Sequence, residues 1–217
     1  MKYFLVGLLA LSLNFTVGAQ TRVFPVQLNL SSKLTDNRGM PFFERNNTLS
    51  YNVEYDGVIS LRAQIGKATK TLKFFTGFNP AGEAHVTTIT PPEFEKQLSP
   101  YLSLETINHI AKSLDIQSSD LKILGLGSGK KLFPEGEGET FFIIVESKRL
   151  RRIRQAIYLE YLRNGGPRSG VLAFKPERFY PHITVGYTVK DIHEDDGLLK
   201  DIKHSLDSRF ILVELGR

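Results

Sequence analysis

The sequence predicts an α+β fold with largely antiparallel sheets. Short runs rich in β-branched and aromatic residues, bounded by Gly and Pro, recur from about Leu49 to the C-terminus. Between them lie segments whose apolar residues repeat every three or four positions. The chain has 217 residues, 41% of them hydrophobic, enough for one core and fitting one domain or one bilobal domain better than two independent ones.

The first segment is set apart from the fold. Residues 1–19, with a single Lys2, an apolar run from Tyr3 to Leu13 and small residues at Val17 and Ala19, read as a secretory signal peptide that leaves Gln20 as the first mature residue. The run is short for a bilayer, so the mature protein is expected to be secreted or periplasmic, with no stable membrane association. Residues 20–48 form an N-terminal extension, a strand in "RVFPVQLNL" followed by a turn-rich loop. The remainder, 49–217, is the domain proper.

Within it, "LSYNVEY" and "VISLRAQI" around Asp56-Gly57 predict a hairpin. "TLKFFTGF" and "AHVTTIT" follow as strands, closed by Pro91-Pro92. A helical stretch from Glu93 to Ile116 breaks at Pro100, with Ser103 capping its second part. "LKILGLG" and "TFFIIVES" predict strands flanking the loop "SGKKLFPEGEGE". The segment from Ser147 to Gly166 is a helix whose apolar stripe is Leu150, Ile153, Ile157 and Tyr161. "RFYPHITVGYTV" is the next strand, then a helix near 197–206 and a last strand, "FILVEL".

Composition excludes several chemistries. The chain has no cysteine, so it has no disulfide, no thiol nucleophile and no Cys-based zinc site. Sequons stand at Asn29-Leu30-Ser31 and Asn46-Asn47-Thr48. The formal charge of +5 falls to +4 when Lys2 leaves with the signal, a mild excess that favours anionic partners. "GLGSGKK" lacks the first Gly and the final Ser/Thr of a phosphate loop, and reads as a flexible loop whose Lys130 or Lys131 reaches a phosphate. "KRLRRIR" reads as the solvated face of its helix. His193 with Glu194, Asp195 and Asp196 reads as a polar loop rather than a metal site.

Two strands carry polar residues in one pattern. In "AHVTTIT", His85 and Thr87 share a face; in "FYPHITVGY", His182 and Thr184 share a face that continues through Gly186. Ile183, Val185 and Tyr187 form the opposite, apolar face. Tyr180 lies on the His182 side, where it lines a cleft or stacks on a base. Phosphodiester cleavage needs one group to take a proton from the attacking oxygen and another to give one to the leaving oxygen, and histidine does both near neutral pH. Hydroxyl donors stabilise the charge gathering on the phosphoryl oxygens. Two His and two Thr therefore supply a metal-free site.

"HVTT" and "HITV", about a hundred residues apart and the second preceded by Pro181, resemble the paired His-x-Thr-x tetrapeptides of the two-histidine (2H) phosphoesterase superfamily, which includes 2′-5′ RNA ligase-like proteins and cyclic phosphodiesterases. The resemblance implies a bilobal fold: two largely antiparallel sheets, pseudo-twofold symmetry, a central cleft with one motif strand per lobe, and helices on the outer faces. It implies that His85 and His182 are the general acid and base, and that Thr87 and Thr184 are phosphate ligands. It implies hydrolysis of a nucleotide or RNA-end phosphodiester, a 2′,3′-cyclic phosphate first among them, with no cofactor and no metal. Thr88 stands where the family has an apolar residue, which leaves open an exported, non-catalytic binding protein for a phosphorylated ligand. Nothing in the sequence points to a protein partner.

Overall fold

A computed structural model describes residues 25–77 and 79–214; residues 1–19, read above as a signal peptide, lie outside the described residues. The chain is α+β. Its main sheet has five strands: β2 (Leu49–Val53), β3 (Ala84–Ile89), β4 (Lys122–Phe133), β5 (Gly136–Glu146) and β6 (His182–Tyr187). Their order is β2-β3-β6-β5-β4, antiparallel throughout. A second, two-stranded sheet pairs β1 (Val26–Leu30) with β7 (Phe210–Glu214) in parallel, so the extension and the C-terminus close on each other. This small sheet is parallel, unlike the antiparallel second sheet expected.

The motif strands β3 and β6 are neighbours at the middle of the main sheet. They share one bridged pair, Val86↔Ile183, so the five strands fall into two half-sheets joined between the motifs. Their antiparallel pairing relates the two motifs by a local twofold.

The helices are α1 (Tyr55–Ala68), α2 (Pro91–Glu93, continuing as a π turn over Phe94–Leu98), α3 (Leu104–Ser113), α4 (Lys148–Arg163) and α5 (Ile202–Ser205). Helices α1, α3 and α4 bury their stripes in one core with the inward strand residues: Val58, Leu61 and Ile65 of α1; Ile107 of α3; Leu150, Ile153, Ile157 and Tyr161 of α4. At about 1.5–3 kcal/mol for each fully buried large aliphatic side chain, this layer dominates the drive to fold. The strand positions that face it, Val86, Ile183 and Val185, alternate with His85, Thr87, His182 and Thr184, which stay partly exposed on the other side.

Four elements differ from expectation. Residues Val58–Ile65 belong to helix α1, not to a hairpin strand: Val58, Leu61 and Ile65 recur at three and four residues and are all fully buried. Gly57 serves close packing there, since a Cβ would lie 2.7 Å from Leu34 Cγ. The segment "TLKFF" is loop, tied to β6 by the bridge Lys73↔Tyr187 and by the Tyr187 hydroxyl, which donates to the Phe74 carbonyl. The glycine-rich "SGKKLFPEGEGE" is strand, the far half of the β4–β5 hairpin. Along β4 the alternating glycines each face a bulky neighbour: a Cβ would lie 2.7 Å from Leu206 at Gly125, 2.4 Å from Phe142 at Gly127, and 2.4 Å from Leu198 at Gly129. Finally, the helix near 197–206 is only α5, one turn capped by the Asp201 carboxylate.

The caps follow the sequence. Ser103 and Ser147 accept the amides of Thr106 and Leu150 at the starts of α3 and α4. Thr90 and Glu93 form a capping box at the end of β3. The basic run at α4 is not wholly a solvated face. Arg154 is 1% exposed, donating to the carbonyls of Thr88, Lys175, Pro176 and Arg178 and to the Glu93 carboxylate. A guanidinium suits this place because five donors in a fixed fork satisfy several acceptors at once.

Candidate active site

The register of the main sheet places the motifs against each other. From Val86↔Ile183, one step either way sets His85 opposite Thr184 and Thr87 opposite His182. On the next strands, Asn52 pairs with His85 and Ser50 with Thr87, while Phe142 pairs with Thr184 and Ile144 with His182. Two rows thus cross the same sheet face: Asn52–His85–Thr184–Phe142 and Ser50–Thr87–His182–Ile144. The two histidines are diagonal neighbours, which puts their backbones about 7–8 Å apart on the same face.

Each ring is held from behind. His182 Nδ1 lies 2.7 Å from the Tyr180 carbonyl, which can only accept, so Nδ1 carries the proton of the neutral ring and Nε2 is left for chemistry. The edge of Phe142 packs against it at 5.7 Å between centroids. His85 Nδ1 lies 3.2 Å from Glu83 Oε1, and the ring packs edge-on to Phe75 at 5.4 Å. Phe75 is 47% exposed and forms the rim of the site.

A buried ion pair lies beside the second motif. Lys200 Nζ is 3.1 and 3.3 Å from the two oxygens of Asp191. Asp191 also accepts from Thr184 Oγ1 at 3.3 Å and from Thr140 Oγ1 at 3.1 Å. Lys200 is 3% exposed, with its ammonium 5.2 Å from the centre of the Phe142 ring. Burial and this ammonium push the His182 pKa down to about 3, so the ring is neutral through the neutral range. Burial pulls Asp191 upward, but Lys200, His193 and His182 outweigh it and keep the carboxylate below its usual range. Burial also lowers Lys200, against the pull of Asp191.

The structure brings His85, Thr87, His182 and Thr184 together on one face. Tyr180 is partly exposed and contributes its backbone carbonyl. Lys130 stands apart, exposed on the β4–β5 hairpin and paired with Glu137 at 3.2 Å; it does not sit on a mobile loop as expected. Lys131 pairs with Asp196. The space at Gly186 is not open: a Cβ there would lie 2.7 Å from the Lys73 carbonyl, so the glycine admits the crossing chain. Among the described residues no group of His, Asp and Glu is arranged to hold a metal ion. None of their helices is long and apolar enough to cross a membrane.

Sequence reasoning missed Asp191, Lys200, Glu83 and Ser50. Glu83 had a signal, since it lies two residues before His85, just ahead of β3. Ser50 faces Thr87, buried and without a hydrogen-bond partner for its hydroxyl, but a serine in a strand gives no sign of what it faces.

A family model described as "2H-SAK: Swiss Army Knife, 2H phosphoesterase domain" matches residues 47–193, about two thirds of the chain. The matched span contains both motifs, Glu83 and Asp191, and excludes Lys200. No match is found among curated proteins or among solved structures. The paired motifs, their meeting on one sheet face and the family match agree: the chain belongs to the 2H phosphoesterase superfamily, a domain of phosphodiesterase-type activity.

Proposed function

We propose that the chain is an exported hydrolase that opens 2′,3′-cyclic phosphates on nucleotides or RNA ends, using His85 and His182 without a metal. The observation that carries this is the pair of cross-strand couples, His85 with Thr184 and Thr87 with His182, that the Val86↔Ile183 bridge sets on one sheet face. Thr87 donates to the phosphoryl oxygens, and Thr184 does so once its hydroxyl turns from Asp191. His182, neutral at neutral pH, takes a proton from water at Nε2 as the water oxygen bonds to phosphorus. The anionic substrate beside the ring favours the imidazolium that forms. The bond from phosphorus to one ribose oxygen breaks, and protonated His85, backed by Glu83, gives that oxygen its proton. The product is a phosphomonoester.

The test is hydrolysis of 2′,3′-cyclic mononucleotides by the purified mature chain. His85→Ala and His182→Ala each lose about 10²- to 10⁴-fold in rate. Equal rates in all three proteins refute the reading. A panel that adds cyclic-ended oligonucleotides and 2′-5′ linkages then ranks the substrates. Export is checked by N-terminal sequencing of the mature protein, which is expected to start at Gln20.

A second reading is capture of a phosphorylated ligand without turnover. It is favoured by Thr184, whose hydroxyl is committed to Asp191. Ligand-induced stabilisation with no product over long incubation would select it.

A further inference from the structure

The two histidines differ in what stands behind them. His182 has a backbone carbonyl, whereas His85 has the Glu83 carboxylate, 3.2 Å from Nδ1. The same oxygen of Glu83 accepts from Arg45 Nη2 at 2.9 Å, and Arg45 Nη1 donates to Asn52 Oδ1 at 3.0 Å. Asn52 is the cross-strand partner of His85, so Arg45 closes a ring of contacts around that histidine. Arg45 is 7% exposed, deep for a guanidinium on a chain segment with no regular structure. The neighbouring loop is shaped to admit the carboxylate: at Gly77, with φ +48°, a Cβ would lie 2.4 Å from Glu83 Cδ. The contact to Nδ1 is within ion-pair distance and not aligned as a hydrogen bond.

We propose that Arg45 and Glu83 are positioning residues for His85. Glu83 accepts the Nδ1 proton, which aims Nε2 at the phosphate and at the leaving oxygen. Arg45 fixes the carboxylate and offsets its charge, so that the site does not repel an anionic substrate. Arg45 precedes the span that the family model matches, 47–193. The segment ahead of the domain therefore completes one half of the site. This rests on the phosphodiesterase reading for its kinetic part, and its other part is measurable without turnover.

The experiment records the ring-nitrogen NMR signals of His85 in the mature chain, together with kinetics on a 2′,3′-cyclic mononucleotide. The neutral wild-type ring carries its proton on Nδ1. Glu83→Ala moves it to Nε2, whereas Glu83→Gln, which keeps an acceptor oxygen and loses the charge, leaves it on Nδ1. Glu83→Gln lowers kcat on the order of 10²-fold with KM little changed, and adds no further loss in a His85→Ala background. Arg45→Met gives a smaller loss of the same kind. A wild-type proton on Nε2, a tautomer unmoved by Glu83→Ala, or a wild-type kcat in Glu83→Gln overturns the proposal. If wild type and His85→Ala turn over equally, the phosphodiesterase reading fails, and the tautomer result still decides whether Glu83 orients the ring.

Discussion

Replacing Lys200 by Met removes the ammonium that pairs with the largely buried Asp191 carboxylate. Lys200 Nζ lies 3.1 and 3.3 Å from the Asp191 oxygens, and what remains around Asp191 is neutral: the hydroxyls of Thr140 and Thr184 and the amide of Ile192 at 2.9 Å. His193 Nδ1, at 3.8 Å, is more exposed and carries charge only when protonated. Breaking one side of a buried pair costs about 3–5 kcal/mol, because the partner's charge stays desolvated. For a chain of this size each kcal/mol moves the midpoint by about 2–4 °C, so a loss of roughly 6–20 °C is expected. Asp191→Asn combined with Lys200→Met removes both charges, and the double variant is expected to lose less than the sum of the singles by more than about 0.5 kcal/mol. The assay is thermal and urea unfolding followed by circular dichroism. A midpoint within 2 °C of wild type, or strictly additive costs, would refute the claim that the pair is mutually compensated. The same substitution removes a cation that disfavours protonated His182, so the His182 titration seen by NMR moves upward.

Arg154→Met strands four backbone carbonyls and the Glu93 carboxylate at the junction of α4, β3 and the loop before β6; a loss of about 3–5 kcal/mol in urea, with unchanged m and no rescue by Lys, is expected. Because the folded-state pKa of His182 lies below its unfolded value, the unfolded chain binds that proton first; stability is full above pH 6.5 and falls as the pH drops toward 3. Between pH 6.5 and 5, above the carboxylates, the slope is at most about 1.4 kcal/mol per pH unit for this one group, and His182→Gln flattens it. Gly127→Ala sets a Cβ 2.4 Å from Phe142 Cε2; a cost of about 1–3 kcal/mol is expected in urea unfolding, together with slower turnover as Phe142 is driven from its packing on His182.

The motifs were legible because strand periodicity is local. His85 and Thr87, like His182 and Thr184, must share a face whatever surrounds them. The α4 stripe and the Ser103 cap were legible for the same reason, since each depends on residues within one or two turns. Helix α1 was misread because Asp56-Gly57 carries a turn signature, while the three-and-four spacing of Val58, Leu61 and Ile65 registers only once a core lies beneath it. Only the far half of the β4–β5 hairpin, "SGKKLFPEGEGE", was misread, because glycine is poor in strands by propensity; the alternation of Gly125, Gly127 and Gly129 along β4 makes sense only against Leu206, Phe142 and Leu198.

By itself the sequence determined the α+β class, the two His-x-Thr faces and the residue types fit for proton transfer around a phosphate. Which strands meet was decided by tertiary structure, through the Val86↔Ile183 bridge that turns two distant tetrapeptides into one face. So were the partners behind the rings: Arg45 and Glu83 on one side, Asp191 and Lys200 on the other. The physical reason is range. Backbone periodicity acts over a few residues, whereas electrostatic partnership depends on distance in space, and Lys200 acts on Thr184 through Asp191 only because the chain folds back across β6 and β5.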